Sequence, residues 1–167
     1  RDDLVTGVQT CALPICGRSD GRYDEGFNPS RTRYSCVPDE SLPGADRALR
    51  DIEAAVDALL KRSDVDASQV VMGGQSRGGI LSVAYAGAHA DQIRGVINFV
   101  GGWMNDRCAG GPLINRTLFE RGASFPRPIL WLYGNDDSFY TTGYTRALFD
   151  SFREAGGRGS YHAFDVP

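Results

Sequence analysis

The sequence predicts an α/β domain, a mostly parallel sheet with helices on both faces. Short apolar, β-branched runs closed by glycine alternate with longer stretches whose apolar residues recur at helical spacing. The short runs are apolar enough to be buried on both faces, as strands joined by right-handed βαβ crossovers are. Length and composition agree, because 167 residues, 41% hydrophobic and 23% charged, suffice for one core.

Residues 17–43 are crowded with Gly, Ser, Asp, Pro and Arg, show no sustained period, and read as a long irregular loop. Ala45, Leu49, Ile52, Val56, Leu59 and Leu60 then mark one stripe of a helix over 44–62. A buried strand is predicted over 69–72, stopped by Gly73-Gly74, and helical composition returns over 78–90. The run Gly-Val-Ile-Asn-Phe-Val at 95–100 predicts a second strand, closed by Gly101-Gly102. A loop over 103–111 and a weaker helix around 113–121 lead through Pro126 and Pro128 to a strand over 129–133, ended by Gly134. The helix predicted over 144–155 carries Leu148, Phe149 and Phe152 on one side and stops at Gly156-Gly157, and residues 160–166 form the last strand.

The N-terminus is set apart from this pattern. Residues 5–15 read Val-Thr-Gly-Val-Gln-Thr-Cys-Ala-Leu-Pro-Ile and look like the translation of a short-read sequencing adapter, so residues 1–16 are treated as a tag is treated and the domain is taken as 17–167. A poorly patterned strand over 4–13 is the alternative. On the adapter reading the native start is expected to be missing.

Charge and cysteine usage exclude several classes. With 18 Lys and Arg against 21 Asp and Glu, the net charge is −3, so no basic face is expected for nucleic acid or an anionic membrane surface. No apolar run approaches the ~20 residues that span a bilayer. Setting aside Cys11 and Cys16 leaves Cys36 and Cys108, which lack metal-ligand spacing, so neither a metal nor another cofactor is expected. Both lie in polar, turn-rich segments and are either a disulfide or two unrelated thiols. A disulfide implies an oxidising compartment, periplasmic or secreted; free thiols leave the cytoplasm.

The chemistry concentrates at Gly74-Gln75-Ser76-Arg77-Gly78, a Gly-x-Ser-x-Gly motif between a predicted strand and a predicted helix. A nucleophile there stands on a tight turn, which demands neighbours without side chains two residues before and after it; Gly74 and Gly78 supply them, and Gly79 lets the helix approach. The N–H of Arg77, at the helix N-terminus, is aimed where an oxyanion forms in acyl transfer. Phosphate-binding patterns fail, because no lysine follows the turn and the glycines at 73, 74, 78 and 79 do not fit Gly-x-Gly-x-x-Gly. Weaker signals are Trp103, Met104, Tyr140 and Tyr144, pocket linings or loop anchors, and Arg18, Arg22, Arg31 and Arg33, a solvated loop face or a carboxylate-binding one.

Three segments carry a family resemblance: Gly17-Arg18-Ser19-Asp20-Gly21, Gly74-Gln75-Ser76-Arg77-Gly78-Gly79 and Leu132-Tyr133-Gly134-Asn135-Asp136-Asp137. From residue 17 onward the chain resembles an α/β-hydrolase of the dienelactone hydrolase-like group. The resemblance implies a truncated α/β-hydrolase fold and a serine hydrolase acting on small-molecule esters, lactones or related acyl substrates through a Ser-His-Asp triad. A peptidase of the same fold and a non-catalytic binding protein are the alternatives. It implies Ser76 as nucleophile and, by the Gly-x-x-Asp form counted from Gly134, Asp137 as the acid, with Asp136 the second choice; that both are helix N-cap and turn residues is the remaining reading.

The general base is the difficulty. His89 lies 13 residues beyond Ser76 on the same predicted helix, almost 20 Å away at ~1.5 Å per residue. His162 lies inside the last strand and reads as a packed strand residue. The family places its histidine beyond that strand and its second oxyanion donor after an early one, so both are expected to lie outside this sequence, leaving the fragment nearly inactive.

Overall fold

The computed structural model describes residues 26–30 and 33–165. The segment 1–16 and residues Arg18, Arg22 and Arg31 lie outside the described residues. In chain order the elements are α1 (Pro38–Leu60), β1 (Val71–Gln75), α2 (Arg77–Ala88), β2 (Gly95–Phe99), α3 (Gly111–Arg121), a single 3-10 turn (Gly122–Ser124), β3 (Ile129–Gly134), α4 (Thr142–Glu154) and β4 (Gly159–Phe164). The four strands form one sheet in the order β1-β2-β3-β4. Every pairing is parallel, with Gly74 opposite Asn98, Asn98 opposite Trp131 and Trp131 opposite Tyr161. The α/β class and the parallel sheet are borne out.

Most boundaries shift by one or two residues, and the largest differences from expectation are at α1 and β1. Helix α1 begins at Pro38 rather than 44 and runs through Pro43. Proline suits a first helical position, and Asp39 and Glu40 follow it where the helix dipole favours negative charge. The first turns are also pinned by packing, with Ser41 buried and its Oγ accepting from Trp103 Nε1 at 2.8 Å. These contacts outweigh the one backbone bond that Pro43 forfeits. Strand β1 runs on through Gly73 and Gly74, because β2 supplies a ladder partner for each residue up to Gln75.

Side chains on alternating positions of the sheet meet different surroundings. Val96, Asn98, Ile129, Trp131 and Tyr133 are buried beneath the helices. Trp131 lies at the centre, its ring 4.4 Å from that of Phe119 and 5.2 Å from those of Phe149 and Phe152. On the other face Val71, Phe99 and Phe164 are exposed and Ile97, Leu130 and Leu132 half-exposed, so among the described residues the helices cover one face of the sheet rather than the two expected, α1 and α3 both packing on α2. His162 belongs to this open face: it is exposed on β4, beside Phe164, which corrects the reading of it as a packed residue.

Tyr85, on α2, gives a pH dependence. It is 1% exposed, donates to Gln92 Oε1 at 2.9 Å and stacks on His89. Burial, and then the charges of Asp57, Glu53 and Asp91, push its phenol up to about 12. A folded-state value above the unfolded one stabilises the fold fully below pH ~10, and that contribution is lost as pH rises to 12 and beyond. Chemical denaturation at stepped pH is expected to show stability falling between those limits, with Tyr85 contributing on the order of 2 kcal/mol. Tyr85→Phe should make that slope shallower without abolishing it, because burial raises Tyr133, Tyr140 and Tyr144 as well.

Candidate active site

The turn between β1 and α2 holds Ser76 at φ 53° and ψ −120°, a left-handed backbone that a residue with a Cβ rarely adopts. Hydrogen bonds fix it there. Ser76 N donates to Phe99 O at 3.0 Å, and Ser76 O accepts from Gly79 N and Gly102 N, each at 3.0 Å. The flanking glycines are required sterically. A Cβ on Gly74 would lie 2.8 Å from Gly78 Cα, and one on Gly79 would lie 2.8 Å from Gly101 Cα. The side chain of Ser76 is half-buried at the carboxyl edge of the sheet.

Beneath the turn, Asn98 Nδ2 donates to Tyr133 Oη at 3.1 Å, and Tyr133 Oη donates to Gly101 O at 2.7 Å. Burial drives the Tyr133 phenol far above its ordinary pKa, so it remains a neutral donor.

Arg77 opens α2, so its N–H is among those without an acceptor inside the helix. Its guanidinium lies in the corner formed by two rings set at 71° to each other, 3.3 Å from the centroid of Tyr34 and 4.6 Å from that of Trp103. Its Nε donates to Trp103 O at 3.5 Å.

Asp137 and Asp136 follow β3 and differ in their bonds. Asp137 is half-buried, and its Oδ1 accepts from the backbone N–H of Phe139 at 2.7 Å and of Tyr140 at 2.8 Å, which fixes the carboxylate on its own turn. Asp136 is exposed. Tyr140 ties this acidic turn to the serine turn: its Oη donates to Gly102 O at 2.7 Å, and Gly102 N donates to Ser76 O. Burial raises the Tyr140 phenol, opposed first by Ser76 and then by the positive charge of Arg77, so all three side chains share one locality.

The ambiguous aromatic positions are anchored. Trp103 and Met104 are buried, and their backbone N–H groups both donate to Asn115 Oδ1, at 2.9 and 3.0 Å. Asn115 Nδ2 returns a bond to Met104 O, and Tyr144 Oη contacts the same carbonyl. Burial raises the Tyr144 phenol too. Sequence reasoning missed Asn115, although an asparagine amid the apolar residues of a helix is the signal of a buried polar anchor.

Cys36 and Cys108 are joined in a disulfide with Cα atoms 5.4 Å apart. Among the described residues neither imidazole reaches Ser76. His89 caps the far end of α2, and His162 stands three strands away, ~14 Å at 4.8 Å per strand. Among the described residues no group of three His, Cys, Asp or Glu is placed to hold a metal. No helix among them is long and apolar enough to cross a membrane.

Comparison with known proteins adds the following. The profile of the family described as Phospholipase/Carboxylesterase matches residues 35–146. No curated protein sequence matches the chain. Among solved structures, Arabidopsis thaliana SOBER1 superposes with a TM-score of 0.56 at 21% identity, over 75% of this chain and 56% of that one. A dienelactone hydrolase, so designated, from Klebsiella pneumoniae gives 0.58 at 17% identity, over 85% of this chain and 58% of that one. Est1E from Butyrivibrio proteoclasticus gives 0.55 at 17% identity, over 72% and 60%. The chain thus spans little more than half the length of these structures, and at such identities the likeness is one of fold, the α/β-hydrolase fold.

Proposed function

The chain belongs to the phospholipase/carboxylesterase family, and from that premise we propose that it is the core of a serine hydrolase acting on carboxylic esters, lactones or related small-molecule acyl compounds. The observation that carries the proposal is Ser76, held at φ 53° where β1 meets the N-terminus of α2. A serine keeps so costly a backbone where the turn presents its hydroxyl to a ligand, with helix N–H groups beside it.

In this mechanism Ser76 Oγ attacks the acyl carbon while its proton passes to an imidazole. The Arg77 N–H donates to the oxyanion that forms. The imidazolium returns the proton to the departing alkoxide, and water then hydrolyses the acyl-serine. Asp137 is the acid that orients the imidazole: its Oδ1 is occupied by the turn, and its Oδ2 is the oxygen that receives the ring N–H. The imidazole comes from a histidine outside this sequence, whose own two histidines stand far from Ser76.

The test follows from that placement. The 167-residue chain should hydrolyse p-nitrophenyl acetate above the solution rate when imidazole is supplied in the buffer, with saturation in ester. Turnover in imidazole no faster than with imidazole alone would exclude the proposal.

A further inference from the structure

The segment before α1 is arranged around a residue of the proposed machinery. Residues 26–30 and 33–35 pair with each other: Phe27 and Tyr34 form an antiparallel bridge, Ser35 N donates to Gly26 O at 2.9 Å, and the rings of Phe27 and Tyr34 stack at 4.3 Å. Two residues after Tyr34, the Cys36–Cys108 disulfide joins this turn to the loop after β2. A Cβ on Gly110 would lie 3.0 Å from Pro38 Cδ, so the two loops also meet closely. The result is a strap whose Tyr34 ring lies over the Arg77 guanidinium, with the Trp103 ring beside it, set at 71° to Tyr34 with centroids 6.5 Å apart, so that the two rings form a corner around the cation.

Arg77 has no carboxylate within 4 Å among the described residues; Arg94, Arg127 and Arg153 likewise bond backbone carbonyls, but Arg77 alone of these is set against two rings as well as Trp103 O. The two rings stand in for the missing anion, because their π faces attract a cation and leave no proton acceptor to be satisfied. Trp103 is locked by Ser41 and Asn115, so that side of the corner is rigid. Tyr34 is half-buried and is held by its turn and the disulfide.

We propose that Tyr34 is a positioning residue for the active serine. Held by the Cys36–Cys108 disulfide, it clamps Arg77 against Trp103 and so fixes the residue whose N–H meets the oxyanion. This rests on the functional reading above. Its consequence is that turnover depends on the redox state of a bond outside the reacting groups. Without the clamp the guanidinium is free to swing across the edge that it shares with Ser76 and Tyr140.

The tests use the 167-residue chain with imidazole supplied. Tyr34→Leu should lower kcat about tenfold with KM changed less than twofold, the loss expected for one desolvated cation–π contact. Tyr34→Phe, which keeps the ring face, should restore it. Reduction with dithiothreitol should lower wild-type kcat by a similar factor and leave Tyr34→Leu unaffected, because the disulfide acts through Tyr34. Equal rates for Tyr34→Leu and wild type, a Phe variant as slow as the Leu one, or an equal further loss on reducing the Leu variant would each overturn the proposal.

A second readout needs no turnover. The Arg77 Nε–H NMR resonance should be displaced upfield by the two ring currents, stay so in Tyr34→Phe, and move toward the free-arginine position in Tyr34→Leu or on reduction. An Arg77 resonance indifferent to Tyr34→Leu overturns the clamp even if no ester is hydrolysed. A displaced resonance in a chain without Ser76-dependent turnover would instead locate the failure in the functional reading. Should reduction unfold the chain, the Leu and Phe variants decide alone.

Discussion

Ser76→Ala is expected to lower imidazole-supported ester hydrolysis by on the order of 10³-fold, to the rate of imidazole alone, while the thermal midpoint falls little or rises. The size of the effect follows from the role. The hydroxyl forms the covalent bond to the acyl group, and nothing else described at that turn offers a nucleophile. Stability should not suffer, because the bonds that fix the turn run through the Ser76 backbone N–H and carbonyl, which alanine retains. Ser76→Gly, which adopts φ 53° without strain, should be at least as stable and equally inactive. Paired measurements of turnover and melting on the two variants check this, and a large stability loss in Ser76→Ala would show that the side chain is structural.

Trp131→Ala is expected to cost about 3–5 kcal/mol, the largest stability loss from a single truncation in the core. The indole is fully buried and its ring lies within 5.2 Å of Phe119, Phe149 and Phe152, so its removal leaves a cavity where α3, α4 and the sheet meet. Rigid neighbouring rings collapse poorly into such a space. The indole Nε1 has no hydrogen-bond partner, so Trp131→Phe forfeits no bond and should cost only about 1–2 kcal/mol. Urea denaturation of the three proteins measures the difference. A Phe variant as damaged as the Ala one would mean that the indole contributes by something other than volume.

What was legible in the sequence was what local chemistry forces. The serine turn was readable because Gly74 and Gly79 occupy points where a Cβ would strike backbone, although Gly74 did not end its strand. The Asp137 turn was readable because an aspartate bonding to the N–H groups two and three residues on is a local pattern. Contacts between distant segments were less readable. The start of α1 was obscured by Pro43, whose cost is offset by Trp103, 62 positions from Ser41. The disulfide was open as one of two readings, and nothing at Tyr34 foretold that its ring would cover Arg77. The bareness of one sheet face was likewise invisible, since Ile97, Leu130 and Leu132 are as apolar as residues that are covered.

The central claim is that Ser76 is an acyl-accepting nucleophile. It is tested most directly by incubating the chain with p-nitrophenyl acetate and imidazole, quenching in acid and mapping acetyl groups by peptide mass spectrometry. The claim predicts one dominant adduct, on the Ser76 hydroxyl, that forms in the folded chain and does not form when the chain is denatured before incubation. Acetylation confined to Lys61, tyrosines or the amino terminus, with Ser76 unmodified in a folded chain, would contradict it.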